Sequence, residues 1–187
     1  IHRLCLNSKM KIALMQPYYF PYIKYYELLS KVDQFIVFDV ALCSSKSWVN
    51  RNRIRTSQGW TYLTIPVNHT GRYERILDIQ VANKYWSEEH IKKIKYSYGK
   101  RSLDHPIVQS IRDCQDCDSL ISILMHTLKS TTGFLNLKTP LVMSSSLPVM
   151  PSGPNDCVLG YCKHMNATHY LNLPGGKSIY AEEAFKD

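Results

Sequence analysis

The chain has 187 residues, of which 44% are apolar and 20% are charged, as in an ordinary globular protein with its own hydrophobic core. No apolar run reaches the roughly 20 residues that a membrane-spanning helix needs, so the composition excludes an integral membrane protein of the helical type. The formal net charge of +8 favours an anionic partner such as nucleic acid, a phosphorylated metabolite or a membrane surface.

The first elements form a predicted βαβ unit. An apolar strand at Lys11–Met15 leads through an aromatic turn, Gln16–Tyr22, into a helix at Ile23–Lys31. The next apolar run, Gln34–Asp39, has the length and composition of a parallel strand that is buried on both faces. On the inner side of the helix we expect Ile23, Tyr26, Leu28 and Leu29.

The rest of the chain continues to alternate between strands and helices. We expect a polar connection at 41–59, a turn at 69–72, strands at Trp60–Val67, Ile76–Val81, Pro140–Met143 and His169–Leu173, and helices at Trp86–Tyr98 (capped by Ser87), Ile107–Arg112, Cys117–Thr131 and Asn155–Asn166. This order predicts an α/β fold with a Rossmann-like, mainly parallel sheet flanked by helices. Residues 10–187 would form a single domain with a helical insertion at about 84–135.

The two ends and the cysteines bear on processing and location. Because Met10 directly precedes the first strand, residues 1–9 are interpreted as a leader or an appended remnant, and the chain as a truncated or partly covered form of a longer protein. Six cysteines without an export signal predict reduced thiols and a cytoplasmic protein. Cys114 and Cys117 have the spacing of half a zinc site, although buried or incidental thiols are favoured. The sequence names no metal or cofactor.

The aromatic turn is the first candidate ligand loop. It follows the carboxyl end of a strand, which is where ligands bind in open α/β sheets. Its Gln16, Tyr18 and Tyr22 side chains can form hydrogen bonds and stack, while two prolines restrict the backbone.

A second candidate segment is Trp48–Arg53. Arg51 and Arg53 lie two residues apart, so an extended backbone places both guanidinium groups on one side, where they can bind phosphate or carboxylate oxygens. Asn50, Asn52 and Trp48 would add amide hydrogen bonds and a stacking surface. The alternatives are a surface loop whose arginines pair with Asp33 or Asp39, and a surface for single-stranded nucleic acid.

Two groups could take part in proton transfer. Asp39 ends the second strand and could act as a general base, a ligand for hydroxyls or metal, or the partner of Arg51. His90 lies in a helix close to Trp86 and is either catalytic or structural.

Gly175 and Gly176, which follow a strand, could wrap a phosphate, or they could form an ordinary turn. Motifs for a covalent nucleophile are absent from the sequence.

These segments together resemble the WbqC-like protein family of bacterial surface-polysaccharide and O-antigen gene sets. The resemblance rests on the segments KIALMQPYYFPY with Tyr25, VDQFIVFD, SWVNRNRIRT and WTYLTIPV, the Trp86/His90 pair and YLNLPGGKSIY. Two positions depart from the family pattern: Val40 replaces a second acid, and Lys24 replaces a glycine. The first departure puts a mechanism with two carboxylates in doubt.

The resemblance implies a transferase that modifies a nucleotide-linked amino sugar. An acyl or aminoacyl group would pass to the sugar amine from coenzyme A, a carrier protein or an aminoacyl adenylate. Asp39 or His90 would take the proton, and the substrate would contact Gln16, Tyr18, Tyr22, Tyr25, Trp48, Asn50, Arg51, Asn52, Arg53, Gly175 and Gly176. The alternatives are a non-catalytic sugar-nucleotide-binding or scaffold module and, less favoured, a nucleic-acid-binding protein.

Overall fold

The computed structural model describes residues 9–44, 47–68, 74–149 and 153–179. The described residues group into two compact units. The first unit draws on Ile1–Met15, Lys24–Val37 and Thr139–Asp187, and the second on Gln16–Ile23 and Phe38–Lys138. Nearly all of the predicted leader, and the predicted turn at 69–72, lie outside the described residues. The division into one domain with an insertion stays a prediction.

The regular elements are numbered in chain order. The strands are β1 (Lys11–Met15), β2 (Gln34–Val37), β3 (Leu42–Cys43), β4 (Arg51–Thr56), β5 (Gly59–Thr64), β6 (Val67–Asn68), β7 (Glu74–Arg75), β8 (Gln80–Val81), β9 (Leu141–Met143) and β10 (His169–Tyr170). The α-helices are α1 (Ile23–Leu29), α2 (Trp86–Tyr98), α3 (Pro106–Arg112), α4 (Leu120–Phe134) and α5 (Pro154–His164). Short 3-10 helices lie at Ile76–Asp78, Lys100–Asp104, Ser144–Ser146 and Pro174–Ile179.

The first unit contains a four-stranded sheet in the order β10-β1-β2-β9, and every neighbouring pair is parallel. Counted along the chain, these strands stand in the order four-one-two-three. Phe35, Ile36 and Val37 are fully buried on β2, which agrees with the predicted strand that is covered on both faces. The predicted α/β class is confirmed.

The first helix buries Tyr26, Leu28 and Leu29 as expected, but not Ile23. Its buried residues are Tyr25, Tyr26, Leu28 and Leu29, whereas Ile23 is 63% exposed. Tyr25 follows Ile23 by two positions, and a step of two positions rotates a helix by about 200°. The expected inner position of Ile23 was therefore wrong because Tyr25 sets the buried face.

The second unit carries α2, α3 and α4. The apolar spacing correctly identified the core of α4, since Leu120, Ile121, Leu124 and Leu128 are all buried. The helix begins three residues later than expected, at Leu120, because Cys117 and Asp118 lie in irregular backbone and Ser119 occupies the cap position. The Ser87 cap was wrong: Ser87 lies inside α2 and is buried, and Tyr85 occupies the cap position.

Two further sequence interpretations need correction in this unit. The connection expected at 41–59 contains β4, which pairs with β5 as an antiparallel hairpin from Arg51↔Thr64 to Thr56↔Gly59. The strand expected at Ile76–Val81 begins as a 3-10 helix, and its paired part is confined to β8 at Gln80–Val81. The Arg75 guanidinium donates to the Asp78 carboxylate at 2.6 Å, and this hydrogen bond links the two ends of the 3-10 helix.

Candidate functional site

The outer face of the β4–β5 hairpin carries a cluster of arginines and aromatic rings. The Arg51 guanidinium carbon lies 5.0 Å from the ring centre of Tyr62 and 5.8 Å from that of Trp48. The Arg53 carbon lies 4.9 Å from the ring centre of Trp60 and 5.9 Å from that of Trp48. We call Trp48, Arg51, Arg53, Trp60 and Tyr62 the cation–aromatic face.

The sequence pattern explains why these side chains meet. Alternate residues of a strand point to the same side, so Arg51 and Arg53 share one face of β4, as predicted. Tyr62 lies directly opposite Arg53 in the hairpin register. Each contact between a guanidinium and a ring at an exposed position is worth about 0.5–1 kcal/mol.

The rings of this face are open to solvent. Trp60 is 60% exposed, Tyr62 45% and Trp48 44%. Neighbouring large aromatic groups that remain accessible are typical of a ligand surface. The arginines give this surface a positive charge, so the face is suited to an anionic ligand that contains a ring.

The predicted aromatic turn contacts the segment that leads into the hairpin. The Tyr19 amide donates to the Val49 carbonyl at 3.0 Å, and the Asn52 side-chain amide donates to the carbonyls of Tyr19 and Phe20. Phe20 has a φ of 48°, a left-handed conformation that a bulky residue adopts at a cost. The turn and the Trp48–Arg53 segment therefore come together.

Below the turn, Tyr19 and His90 form a buried hydrogen-bonded pair. The Tyr19 hydroxyl lies 3.0 Å from Nδ1 of His90, and Nε2 lies 3.2 Å from the Thr64 carbonyl. Because a carbonyl can only accept, Nε2 carries the proton and Nδ1 accepts from Tyr19. Trp86 packs against both rings.

The environment keeps His90 neutral. Burial lowers the pKa of His90 from 6.5 to about 4; the hydrogen bond to Thr64 opposes this effect and nearby Lys93 adds to it. Burial also raises the pKa of Tyr19 well above its ordinary value. This arrangement suits a group that orients the turn. His90 could accept a substrate proton only after the hydrogen bond from Tyr19 breaks.

Asp39, the second candidate base, follows β2 and is completely buried. Its backbone carbonyl accepts a hydrogen bond from Leu77 at 3.0 Å. The charge of Asp39 also raises the pKa of Arg75. Its effect is smaller than those of the Asp78 hydrogen bond and the Asp78 charge.

The other predicted site residues of the second unit differ in accessibility. Gln16 and Tyr18 are half-buried, and Tyr22 is 56% exposed. Burial and the neighbouring Tyr22 raise the pKa of Tyr18. Asn50 is half-buried, and its side chain donates to the Ile65 carbonyl at 2.9 Å, so it fixes the chain that leaves β5.

Three predicted site residues belong to the first unit. Tyr25 is completely buried, with its ring 5.1 Å from that of Phe35. Gly175 and Gly176 lie in the 3-10 helix that follows β10. A Cβ atom at Gly176 would overlap the side chain of Asn172, whereas Gly175 faces open space. Their participation in one site with the aromatic turn stays a prediction.

The cysteines of the described ranges, from Cys43 to Cys162, are free thiols. Within the same ranges no group of three or more His, Cys, Asp or Glu side chains is arranged to hold a metal ion. No helix in the described part of the chain has the length and apolar character needed to cross a membrane.

Comparison with known proteins places the chain in a family. The family model described as "WbqC-like protein family" matches residues 16–187. The chain belongs to the WbqC-like protein family. It is similar to the "Uncharacterized protein Rv1507c" of Mycobacterium tuberculosis (strain ATCC 25618 / H37Rv), with 26% identity over 181 residues that cover 95% of this chain and 78% of that protein. No solved structure matches the chain.

Sequence reasoning missed three residues that shape this site. Tyr19 was passed over in favour of its neighbours, yet it is the tyrosine that contacts His90. Trp60 and Tyr62 were assigned only to a strand, but they complete the cation–aromatic face. The alternation of Arg51, Arg53 and Arg55 could have revealed β4 and, through it, these partners on β5.

Proposed function

We propose that this protein is a transferase that adds an acyl or aminoacyl group to the amine of a nucleotide-linked sugar in surface-polysaccharide biosynthesis. The observation that carries the proposal is the cation–aromatic face, which offers two guanidinium groups among three accessible rings. Membership of the WbqC-like family is consistent with it. The substrate and the donor class are proposals from the family resemblance.

In this proposal, the face recognises both parts of the nucleotide. Arg51 and Arg53 bind the phosphate oxygens, since guanidinium groups match phosphate geometry with two parallel hydrogen bonds. Trp48, Trp60 and Tyr62 stack against the base or the sugar ring. Tyr18 and Tyr22 of the aromatic turn, which the Asn52 amide ties to the hairpin, extend the surface towards the sugar.

The reaction requires a base and a positioned donor. The amine nitrogen attacks the carbonyl carbon of the donor, a C–N bond forms, and the bond to the thiol or adenylate leaving group breaks. The proton that the amine loses passes to Asp39 or His90, and the leaving group departs with the electron pair. His90 accepts a hydrogen bond from Tyr19, so it could take this proton only after that bond breaks.

The binding role can be tested with Arg53→Ala, using Arg55→Ala as the matched control on the same strand face. Isothermal titration calorimetry with a UDP-linked amino sugar should show a loss of about 1.5–3 kcal/mol for Arg53→Ala, the value of a hydrogen bond to a charged group. The Arg55 variant should bind like the parent. Equal affinities for all three proteins would refute this role.

A non-catalytic sugar-nucleotide-binding or scaffold module is the second candidate. It is favoured by the burial of both candidate bases, since Asp39 is 0% and His90 1% exposed. Mass spectrometry of reactions with nucleotide amino sugars and acyl-CoA, carrier-protein or aminoacyl donors separates the two. A transferase yields product that Asp39→Asn abolishes without loss of binding, whereas a module yields none.

The fold and the location complete the proposal. The strands of the first unit, read from β9, follow the order third, second, first, fourth. This is the order at the centre of a Rossmann sheet, so we propose a Rossmann-like core. The free thiols support the proposed cytoplasmic location, where a nucleotide-linked substrate is made.

A further inference from the structure

The second unit also contains a pocket of about 660 Å³ on the side of the hairpin that faces its helices. The wall on the hairpin side comes from Ile54 and Leu63, and the opposite wall from α2 and α3. Its volume falls within the roughly 300–1,000 Å³ of small-molecule sites. Of the cation–aromatic face, only Arg53 lines this pocket.

The inner walls of the pocket are apolar. Leu63, Ile94, Val108 and Ile111 line it and are all at least nine-tenths buried. They belong to β5, α2 and α3, so three elements hold them in place. An apolar chain is the ligand body that such walls accept, because each buried methylene contributes about 0.8 kcal/mol.

Charged groups lie around the same pocket. Arg101 and the single carboxylate of Asp104 line it, whereas the Arg53 guanidinium lies over Trp60 on the outer face of the hairpin. His105 also lines it, and its Nδ1 accepts from the Ile107 amide at 3.2 Å. With Nδ1 accepting, Nε2 is the ring nitrogen that can donate a hydrogen bond.

We propose that this pocket binds an anionic single-chain amphiphile, with the apolar chain between α2, α3 and the hairpin and the acid group at Arg101 and at Nε2 of His105. The ligand carries a carboxylate or phosphate at one end of an unbranched chain. This inference does not depend on the proposed transferase activity. It needs only the apolar walls of the pocket, the Arg101 guanidinium and the His105 ring.

The charge requirement is tested by calorimetry with three chains of equal length, used below their micellar concentrations. Dodecanoate should bind, whereas dodecanol should bind at least about tenfold more weakly, because it lacks the charge-assisted hydrogen bonds. Dodecyltrimethylammonium should not bind measurably. Equal binding of all three would overturn the proposal, since it would indicate non-specific apolar contact.

Site-directed variants locate the binding. Arg101→Glu should weaken dodecanoate binding at least about tenfold, whereas Lys100→Glu, an equal charge change at an adjacent residue that does not line the pocket, should leave it unchanged. Ile107→Trp should fill the pocket and block binding, and Ile23→Trp at an exposed position is its control. Circular dichroism confirms that each variant is folded. Equal loss in both glutamate variants would contradict a site at the pocket.

The source of the amphiphile is resolved by comparing dodecanoate, dodecyl phosphate and dodecanoyl-CoA. Preference for the thioester identifies an acyl donor, and preference for either free acid identifies a fatty acid or a lipid phosphate. If none of the three binds, the proposal fails. This failure would leave the cation–aromatic face, and the UDP-sugar test made on it, unaffected.

Discussion

The buried pair of Tyr19 and His90 links the aromatic turn to α2 through one hydrogen bond. Both ring nitrogens of His90 form hydrogen bonds. If Nδ1 were also protonated, it would have to donate to the Tyr19 hydroxyl, so the direction of that hydrogen bond would reverse. The low pKa of His90 follows mainly from burial. At the scale of a single residue, the site is thus built around a neutral imidazole.

This burial predicts acid sensitivity. The unfolded chain gains a proton on His90 near pH 6.5, whereas the folded protein resists protonation until about pH 4. The unfolded state therefore binds more protons within this interval, so stability falls as the pH decreases from 6.5 to 4, by a total of about 3 kcal/mol. Urea unfolding of the parent and of His90→Gln across this range should show the decrease in the parent only. Parallel profiles would contradict the assignment.

At the scale of elements, the β4–β5 hairpin has two different faces. The outer side bears the cation–aromatic face, and the inner side carries Asn52, which donates to the aromatic turn, and Leu63, which lines the apolar pocket. The hairpin is closed at its tip by Gly59, whose φ of 122° suits only glycine. One pair of strands thus positions both candidate ligand surfaces.

The clamp from Asn52 predicts a specific loss. Asn52→Ala removes the donor to two carbonyls of the turn, which should reduce the free energy of unfolding by about 1–3 kcal/mol and weaken UDP-sugar binding through Tyr18 and Tyr22. Denaturant unfolding and calorimetry measure the two effects. Asn52→Asp keeps the size but not the donor, so it should behave like alanine or worse. An Asn52→Asp variant as stable as the parent would exclude the clamp.

Elements were predictable where apolar spacing alone defines them. The strand pairing of β1 with β2 and the core face of α4 followed from buried runs and helical periodicity. The strand β4 was missed because arginines and asparagines fill it, although its alternation is regular. The 3-10 helix at Ile76 was not predicted. The Arg75–Asp78 ion pair stabilises it, and the spacing of apolar residues gives no indication of such a pair.

At the scale of the whole molecule, the formal charge of +8 attracts anions of any kind. Charge alone cannot separate a nucleotide from a nucleic acid, because both carry phosphates. The number of phosphates contacted does separate them. The cation–aromatic face has two guanidinium groups, a small footprint for a polynucleotide.

This footprint predicts a shallow response to salt. If two arginines contact phosphate, the logarithm of the affinity for single-stranded DNA should fall with the logarithm of salt concentration with a slope of about −1.4, at −0.7 for each contact. Fluorescence anisotropy with labelled oligothymidine measures the slope. A steep slope with tight binding at physiological salt would favour the nucleic-acid alternative over the transferase.

Only part of the candidate site could be predicted from the sequence. Sequence reasoning found the residues whose chemistry is evident in isolation, such as Arg51, Arg53 and Trp48, and the turn that meets them. It could not identify Tyr19 or the apolar pocket, because both depend on which residues of distant elements meet in space. Adjacent Tyr18 and Tyr19 have the same chemistry, and only burial distinguishes them.

The two ligand surfaces of the hairpin share the same pair of strands. The Arg53 guanidinium lies over Trp60 on one face, and Leu63 lines the pocket on the other. Thermodynamic linkage makes any influence of one bound ligand on the other mutual: each must change the affinity of the other by an identical factor.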